Sequence, residues 1–169
     1  MMINRCIGCG AKLAPINGPV HAYMHSSPAC FAAFNELLAA EYSSKELRAV
    51  HRLTVDTWAV QHPGSAGDRR AVQSVGLHLA RLLLQLESPR SPEETNAVML
   101  DFSRHKKTLK HLPSPAAFTM TVADVVPFAG SPEHTKKVRE WAEATWCDWS
   151  AHHDYIREWI AEHSVHTVS

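Results

Sequence analysis

Apolar residues along this chain recur mostly at helical spacing, and the elements they predict are helices joined by proline- and glycine-marked breaks. Residues 1–30 are the exception. Gly8, Gly10, Pro15, Gly18, Pro19 and Pro28 interrupt any period there. A first helix is expected from Pro28, after Ser26-Ser27, with Phe31, Phe34, Leu37 and Leu38 on one side to about Glu41. Ser43-Ser44-Lys45-Glu46 has the spacing of a capping box and opens a second helix, which Pro63 stops after His62. Asp68 is a good N-cap for a third, to about Glu87. Its Ala71, Val72, Val75, Leu77, Leu79, Leu82, Leu83 and Leu86 are apolar nearly all round, which marks it as the buried central helix.

Ser91-Pro92-Glu93-Glu94 starts a fourth helix ending near Lys106. Residues 107–130 are mixed, with a short helical piece capped at Thr121–Asp124. Ser131-Pro132-Glu133 opens a last helix to about His163, carrying Trp141, Trp146, Trp149, Ile156, Trp159 and Ile160. No strand shows convincing alternation and no internal repeat is visible. The expected fold is all-α: a four- to five-helix bundle over 28–165, with an irregular zinc-knuckle segment at 1–30 packed on it, in a single domain over 1–169.

Composition changes this picture in three places. Hydrophobic residues make up 45% and charged residues 20%, as in an ordinary soluble globular protein. Lys plus Arg and Asp plus Glu balance at 17 each, so no basic excess argues for nucleic acid or an anionic membrane as partner. No apolar run approaches the roughly 18 to 20 residues of a membrane span, and Met-Met-Ile-Asn-Arg-Cys lacks the apolar core of a secretory signal. A cytoplasmic protein is expected, and in that compartment four cysteines read as thiols or metal ligands rather than disulfides. The third point is the number of histidines, 12, spread too widely to be a tag.

Cys6-Ile-Gly-Cys9-Gly10 is the strongest single motif. Two cysteines two residues apart, with glycines in and after the turn, let both thiolates face one ion, which is half of a structural zinc site. The candidates to complete it are Cys30, at the mouth of the first helix, then His21, with His25 behind it. The plainer reading is a pair of free thiols. A redox pair normally sits between a strand and a helix, and no strand precedes this one.

Histidines supply the second signal. His51 and His62 lie eleven residues apart, about three turns with only ~20° of drift, so both fall on one stripe with Val55 and Trp58. His78 and the His152-His153 pair also fall on or beside apolar helix faces. Facing helices of a bundle commonly build metal sites, and neutral imidazole suits several divalent ions. His51, His62, His78 and His153 are thus candidate ligands of a second metal whose identity the sequence leaves open. A lone histidine of this kind is more often a core residue with a hydrogen-bonded ring. Asp56, rotated about 140° from His51 on an ideal helix, is a candidate orienter or catalytic base, and more simply an arginine partner. Gln73 is a further candidate ligand or ring partner. His105, His111, His134, His163 and His166 read as solvated, and Cys147 as a small buried hydrophobe.

These segments resemble a family of uncharacterised bacterial proteins, a domain of unknown function. The likeness rests on Cys6 to Gly10 (Cys-x-x-Cys-Gly), Ser27-Pro-Ala-Cys30, Val55 to Gly64 (Val-Asp-x-x-Ala-x-Gln-His-Pro-Gly), and Trp146 to Trp159 with its paired histidines. It implies no activity, and it favours Cys30 over Cys147 as partner to the N-terminal pair. A weaker similarity links the chain to DinB-like metal-dependent bundles, in which one histidine sits on an early helix and a pair on the last. His78 with His152 or His153 matches that layout, but the spaced His-x-x-x-His of the last helix is missing.

The functional expectation is a metal-binding protein with a structural zinc knuckle and a histidine-built metal site serving hydrolysis or thiol transfer on a small-molecule substrate. The rival is a non-enzymatic, zinc-stabilised interaction or regulatory module. The Trp-rich last helix can bury against its own bundle or against a second copy, as in a homo-oligomer.

Overall fold

The computed structural model describes residues 2–164, and the elements follow closely from local chemistry. Two short strands, β1 (Asn4–Arg5) and β2 (Lys12–Leu13), pair antiparallel with Asn4 opposite Leu13. The sequence offered no strand pattern here because two residues are too few to alternate. Helix α1 (Pro28–Ser43) starts as expected: Ser27 caps it by accepting from the Cys30 amide, and Pro28 fills the first helical position, where an amide would have no partner. Cys30, Ala33, Phe34, Leu37 and Glu41 form its buried stripe.

The second helix is shorter than expected. A 3-10 turn at Leu47–Val50 precedes α2 (His51–Val60), since Ser44 serves the end of α1 and its carbonyl accepts from Arg48. Seven of the ten residues of α2 are buried, among them Asp56 and Trp58. Helix α3 (Arg69–Glu87) is capped by Asp68, and it packs against α2, α6 and α7 as the central helix. Helix α4 (Pro92–Arg104) opens with a complete Ser91–Glu94 capping box, and the single turn α5 (Val122–Val125) with a Thr121–Asp124 one.

The long last helix is in fact two, α6 (His134–Asp148) and α7 (His153–His163). Between them a 3-10 turn spans Ser150–His152, and the Trp149 amide is shared between the carbonyls of Thr145 and Trp146. The break is stabilised by side chains: His153 Nε2 donates to the Trp146 carbonyl at 2.7 Å, and His152 Nε2 to that of Pro113 at 2.9 Å. Donors that reach the last carbonyls of a helix stabilise its end. Among the described residues the fold is therefore all-α apart from the small hairpin, with seven α-helices. None of them is long and apolar enough to cross a membrane. Trp58, Trp141, Trp149 and Trp159 are buried in one continuous core with Leu37, Leu79, Leu82 and Phe102. Cys147 is not part of it: the residue is exposed on α6.

Candidate metal centre

The centre is assembled from three separate pieces of chain. The first is the hairpin, whose turn folds back because the Cys6 amide donates to Ala11 and the Gly10 amide to the Cys6 carbonyl, both at 2.9 Å. Gly10 takes φ +79°, a left-handed conformation that side chains rarely adopt. The tight turn aims both sulfurs to one side, and backbone amides meet them: Ala11 N–H lies 3.4 Å from Cys9 Sγ and Ser27 N–H 3.3 Å from Cys6 Sγ. The second piece is the first turn of α1, which presents Cys30 at a helix N-terminus, where partial positive charge favours a thiolate.

The third piece is the end of α2. His62 lies one residue past the helix, after the capping Gln61, held by its amide on the Ala59 carbonyl and by Nδ1, which donates to the Trp58 carbonyl at 2.6 Å. With Nδ1 carrying the proton, Nε2 is left as a lone pair aimed at the sulfurs. Trp58 stacks on the His62 ring at 4.0 Å between centroids and on Phe34 at 4.4 Å, so the imidazole cannot swing away without unstacking an indole.

The four ligand atoms of Cys6, Cys9, Cys30 and His62 lie within 4.8 Å of one another, and all four residues are buried. Cys9 and Cys30 sulfurs are 3.7 Å apart, and His62 Nε2 lies 3.5 Å from Cys6 Sγ and 3.3 Å from Cys30 Sγ. A tetrahedral zinc ion with ordinary bond lengths has sulfur–sulfur edges of about 3.8 Å and sulfur–nitrogen edges of about 3.5 Å. The donor set and its spacing fit such an ion.

Three thiols this close cannot ionise independently. Hydrogen bonds from Cys30 and then Cys9 hold the Cys6 thiol far below its ordinary range, against the effect of burial. The bond to Cys6 pushes Cys30 far up, aided by Cys9 and by burial. Cys9 is pushed up to about 12: its bond with Cys30 acts downward, and its bond with Cys6, burial and the Cys6 charge outweigh it. A bound dication relieves this conflict, because it favours the thiolate form of every sulfur it touches. A cavity of about 310 Å³ lies beside Cys6 and Cys9, walled on its far side by Pro115–Phe118.

The sequence expectation placed His62 with His51, His78 and His153, and named His21 behind Cys30 for the cysteine site. Instead, His62 completes the cysteine cluster. His21 faces away from that role: its Nδ1 accepts from the amides of Tyr23 and Met24 at 3.3 Å each. The other three histidines do not converge, and among the described residues the cysteine cluster is the one group with metal-ligand spacing. His153 is committed to the α6 terminus, with its ring stacked on Trp146 at 3.8 Å. His51 Nδ1 lies 3.3 Å from Glu41, and His78 Nδ1 2.6 Å from Asp56. The physical reason is that a buried carboxylate is a closer partner for each ring than a second imidazole on another helix.

Two carboxylates, both fully buried, carry these ties. Asp56 accepts from His78, from Arg81 Nε at 2.9 Å and from Gln85, so it joins α2 to α3. Gln73 lies with His78 along a cavity between Tyr23 and Lys106. Glu41 accepts from His51, from Thr54 and from His134 Nε2 at 2.8 Å, joining α1, α2 and α6. His134, read from the sequence as solvated, is fully buried here. No periodic signal marks it, because it opens a helix after a proline. His166 lies outside the described residues.

No curated protein and no solved structure matches the chain. A family described as a family of unknown function, DUF5946, matches residues 4–150.

Proposed function

We propose, for a chain that belongs to the DUF5946 family of unknown function, that Cys6, Cys9, Cys30 and His62 hold a structural zinc ion. That ion fastens the N-terminal segment to the helical bundle. The observation that carries this reading is the completeness of the set: three sulfurs and one imidazole nitrogen, from three separate stretches of chain, lie within 4.8 Å of one another, the four ligands a tetrahedral zinc takes. A catalytic zinc keeps an open position for water or substrate, whereas four protein ligands that are all buried leave none. Soft thiolates also favour zinc over harder ions such as magnesium or calcium. The ion supplies a cross-link here, and the chain's own residues supply its rigidity: the Trp58 stack fixes His62, and backbone amides meet the sulfurs.

On this reading the protein is a zinc-stabilised helical scaffold, and chemistry at a histidine-built metal site is not part of its function. The test is substitution of cobalt(II) for the native ion, followed by titration with azide. A tetrahedral sulfur-rich spectrum that azide leaves unchanged supports a closed structural site. An azide-dependent change in the visible bands means that an exogenous ligand enters through the cavity beside Cys6 and Cys9, and overturns it.

A further inference from the structure

Far from the cysteine cluster, a cavity of about 440 Å³ opens where the 3-10 turn at Leu47–Val50, the start of α2 and the α3–α4 connection meet. Its wall carries Arg48, Arg52 and Arg90, and no carboxylate lines it. Four arginines elsewhere on this chain find acids: Arg70 pairs with Asp68, Arg81 with Asp56, Arg104 with Asp101 and Arg157 with Glu87. The cavity arginines do not. Arg48 donates to the Tyr42 carbonyl at 3.2 Å, Arg52 weakly to that of Pro92 at 3.4 Å, and Arg90 to no described residue. Three guanidinium groups around one concavity leave most of their donor forks unsatisfied by protein.

The remaining polar wall is held in place from behind. His51 Nδ1 donates to buried Glu41, and the Tyr42 hydroxyl lies 3.1 Å from His51 Nε2. Gln85 is fixed by its amide on Asp56. The Glu41 carboxylate does not present its charge to the cavity unshielded, because Thr54 and His134 also donate to it. What faces the cavity as donor and charge is thus the three guanidinium groups, on a backing of side chains tied to one another.

We propose that this cavity binds a small molecule through a doubly charged oxyanion, a phosphate ester or a dicarboxylate, gripped by Arg48, Arg52 and Arg90. Planar guanidinium forks match both groups with paired hydrogen bonds, which an ammonium does not. The volume is that of a small-molecule site and too small for a macromolecular surface. The site is independent of the metal centre, so its failure leaves the zinc reading intact.

The experiment is calorimetric titration of the intact, metal-loaded chain with phenyl phosphate and, separately, succinate. Wild type is expected to bind at least one of them with a single site per chain. The Arg52→Gln/Arg90→Gln double variant should weaken that binding by about tenfold or more. Arg104→Gln, at the other end of α4, should leave it unchanged. Arg90→Gln alone, at an exposed loop position, repeats the test should the double variant fold poorly. Binding of phenyl phosphate alone assigns a phosphate ester, and of succinate alone a dicarboxylate. No binding of either, or an equal loss with Arg104→Gln, overturns the proposal.

Discussion

His62 Nε2 lies 3.3 Å from Cys30 Sγ, a contact that joins the end of α2 to the start of α1 across 32 residues of sequence. This contact puts His62, rather than His21, in the group that could hold a metal ion. It exists because Pro63 ends the helix just where the ring can bond the Trp58 carbonyl through Nδ1, leaving Nε2 free for the sulfurs.

The clearest consequence separates His62 from His21. His62→Ala should lower bound zinc well below a single equivalent per chain, while His21→Ala should retain the full equivalent. Elemental analysis of the purified variants after dialysis against weak chelator reads the difference. Equal retention by both variants would place the fourth ligand elsewhere.

Removing the ion should act on one region more than the rest. Residues 2–27 form only a two-residue ladder and contribute few buried hydrophobic side chains, namely Cys6, Cys9, Ala11 and Met24. The helical bundle, by contrast, has its own core of tryptophans and leucines. Chelation is therefore expected to raise amide exchange in residues 2–27 strongly and in α3 only slightly, with a lower melting temperature overall. Uniform exchange through both regions would mean that the knuckle is integral to the bundle rather than stapled to it.

Much of this arrangement was legible in the sequence, and the rest was hidden for identifiable reasons. Helix starts were readable because capping is local: Ser27, Asp68, Ser91 and Thr121 each accept a bond from an amide two or three residues on. The clustering of the three cysteines was readable because Cys6 and Cys9 share one turn and Cys30 opens a helix. His62 was misplaced because helical periodicity ranks residues by face, and on an ideal helix it shares a face with His51. In the folded chain His62 lies just beyond the helix, where its ring is placed by a terminal carbonyl rather than by the stripe. Glu41 and His134 were invisible for another reason. Their contact spans 93 residues, and a glutamate on a helix gives no sign that it will be buried. The break at Trp149 was missed because it depends on His152 and His153 reaching carbonyls, which no apolar pattern records.

Gly8, between the two knuckle cysteines, should tolerate no side chain. A Cβ there would run into the His25 carbonyl oxygen and His62 Cδ2, with the Gln61 carbonyl at 3.1 Å. Backbone cannot give way as a flexible side chain can. Gly8→Ala is therefore expected to displace the imidazole and weaken zinc affinity by about tenfold to a hundredfold, as loss of ligand support does elsewhere. Gly18→Ala meets only Pro28 Cβ at 4.0 Å and should stay within about 0.5 kcal/mol of wild type. Competition against a chromophoric chelator measures the first, and urea denaturation the second. Wild-type affinity in Gly8→Ala would show that the turn has room to shift.

The Glu41 cluster gives the last expectation, one independent of metal. His134 Nδ1 accepts from the Gly130 amide at 3.0 Å, so its Nε2 must carry the proton that it donates to Glu41. Thr54 and His51 donate to the same carboxylate, and Glu41 is 0% exposed. A carboxylate has acceptor capacity for all three donors. The amide of Glu41→Gln has one acceptor oxygen, and its NH₂ must then face a donor in a dry site. The substitution should cost about 3 kcal/mol, within the range for breaking a buried charged network. Zinc content should remain at wild-type level, because no ligand lies in this cluster. Urea denaturation with metal analysis on the same sample checks both. A loss below about 1 kcal/mol would mean that the cluster rearranges around the amide at little expense.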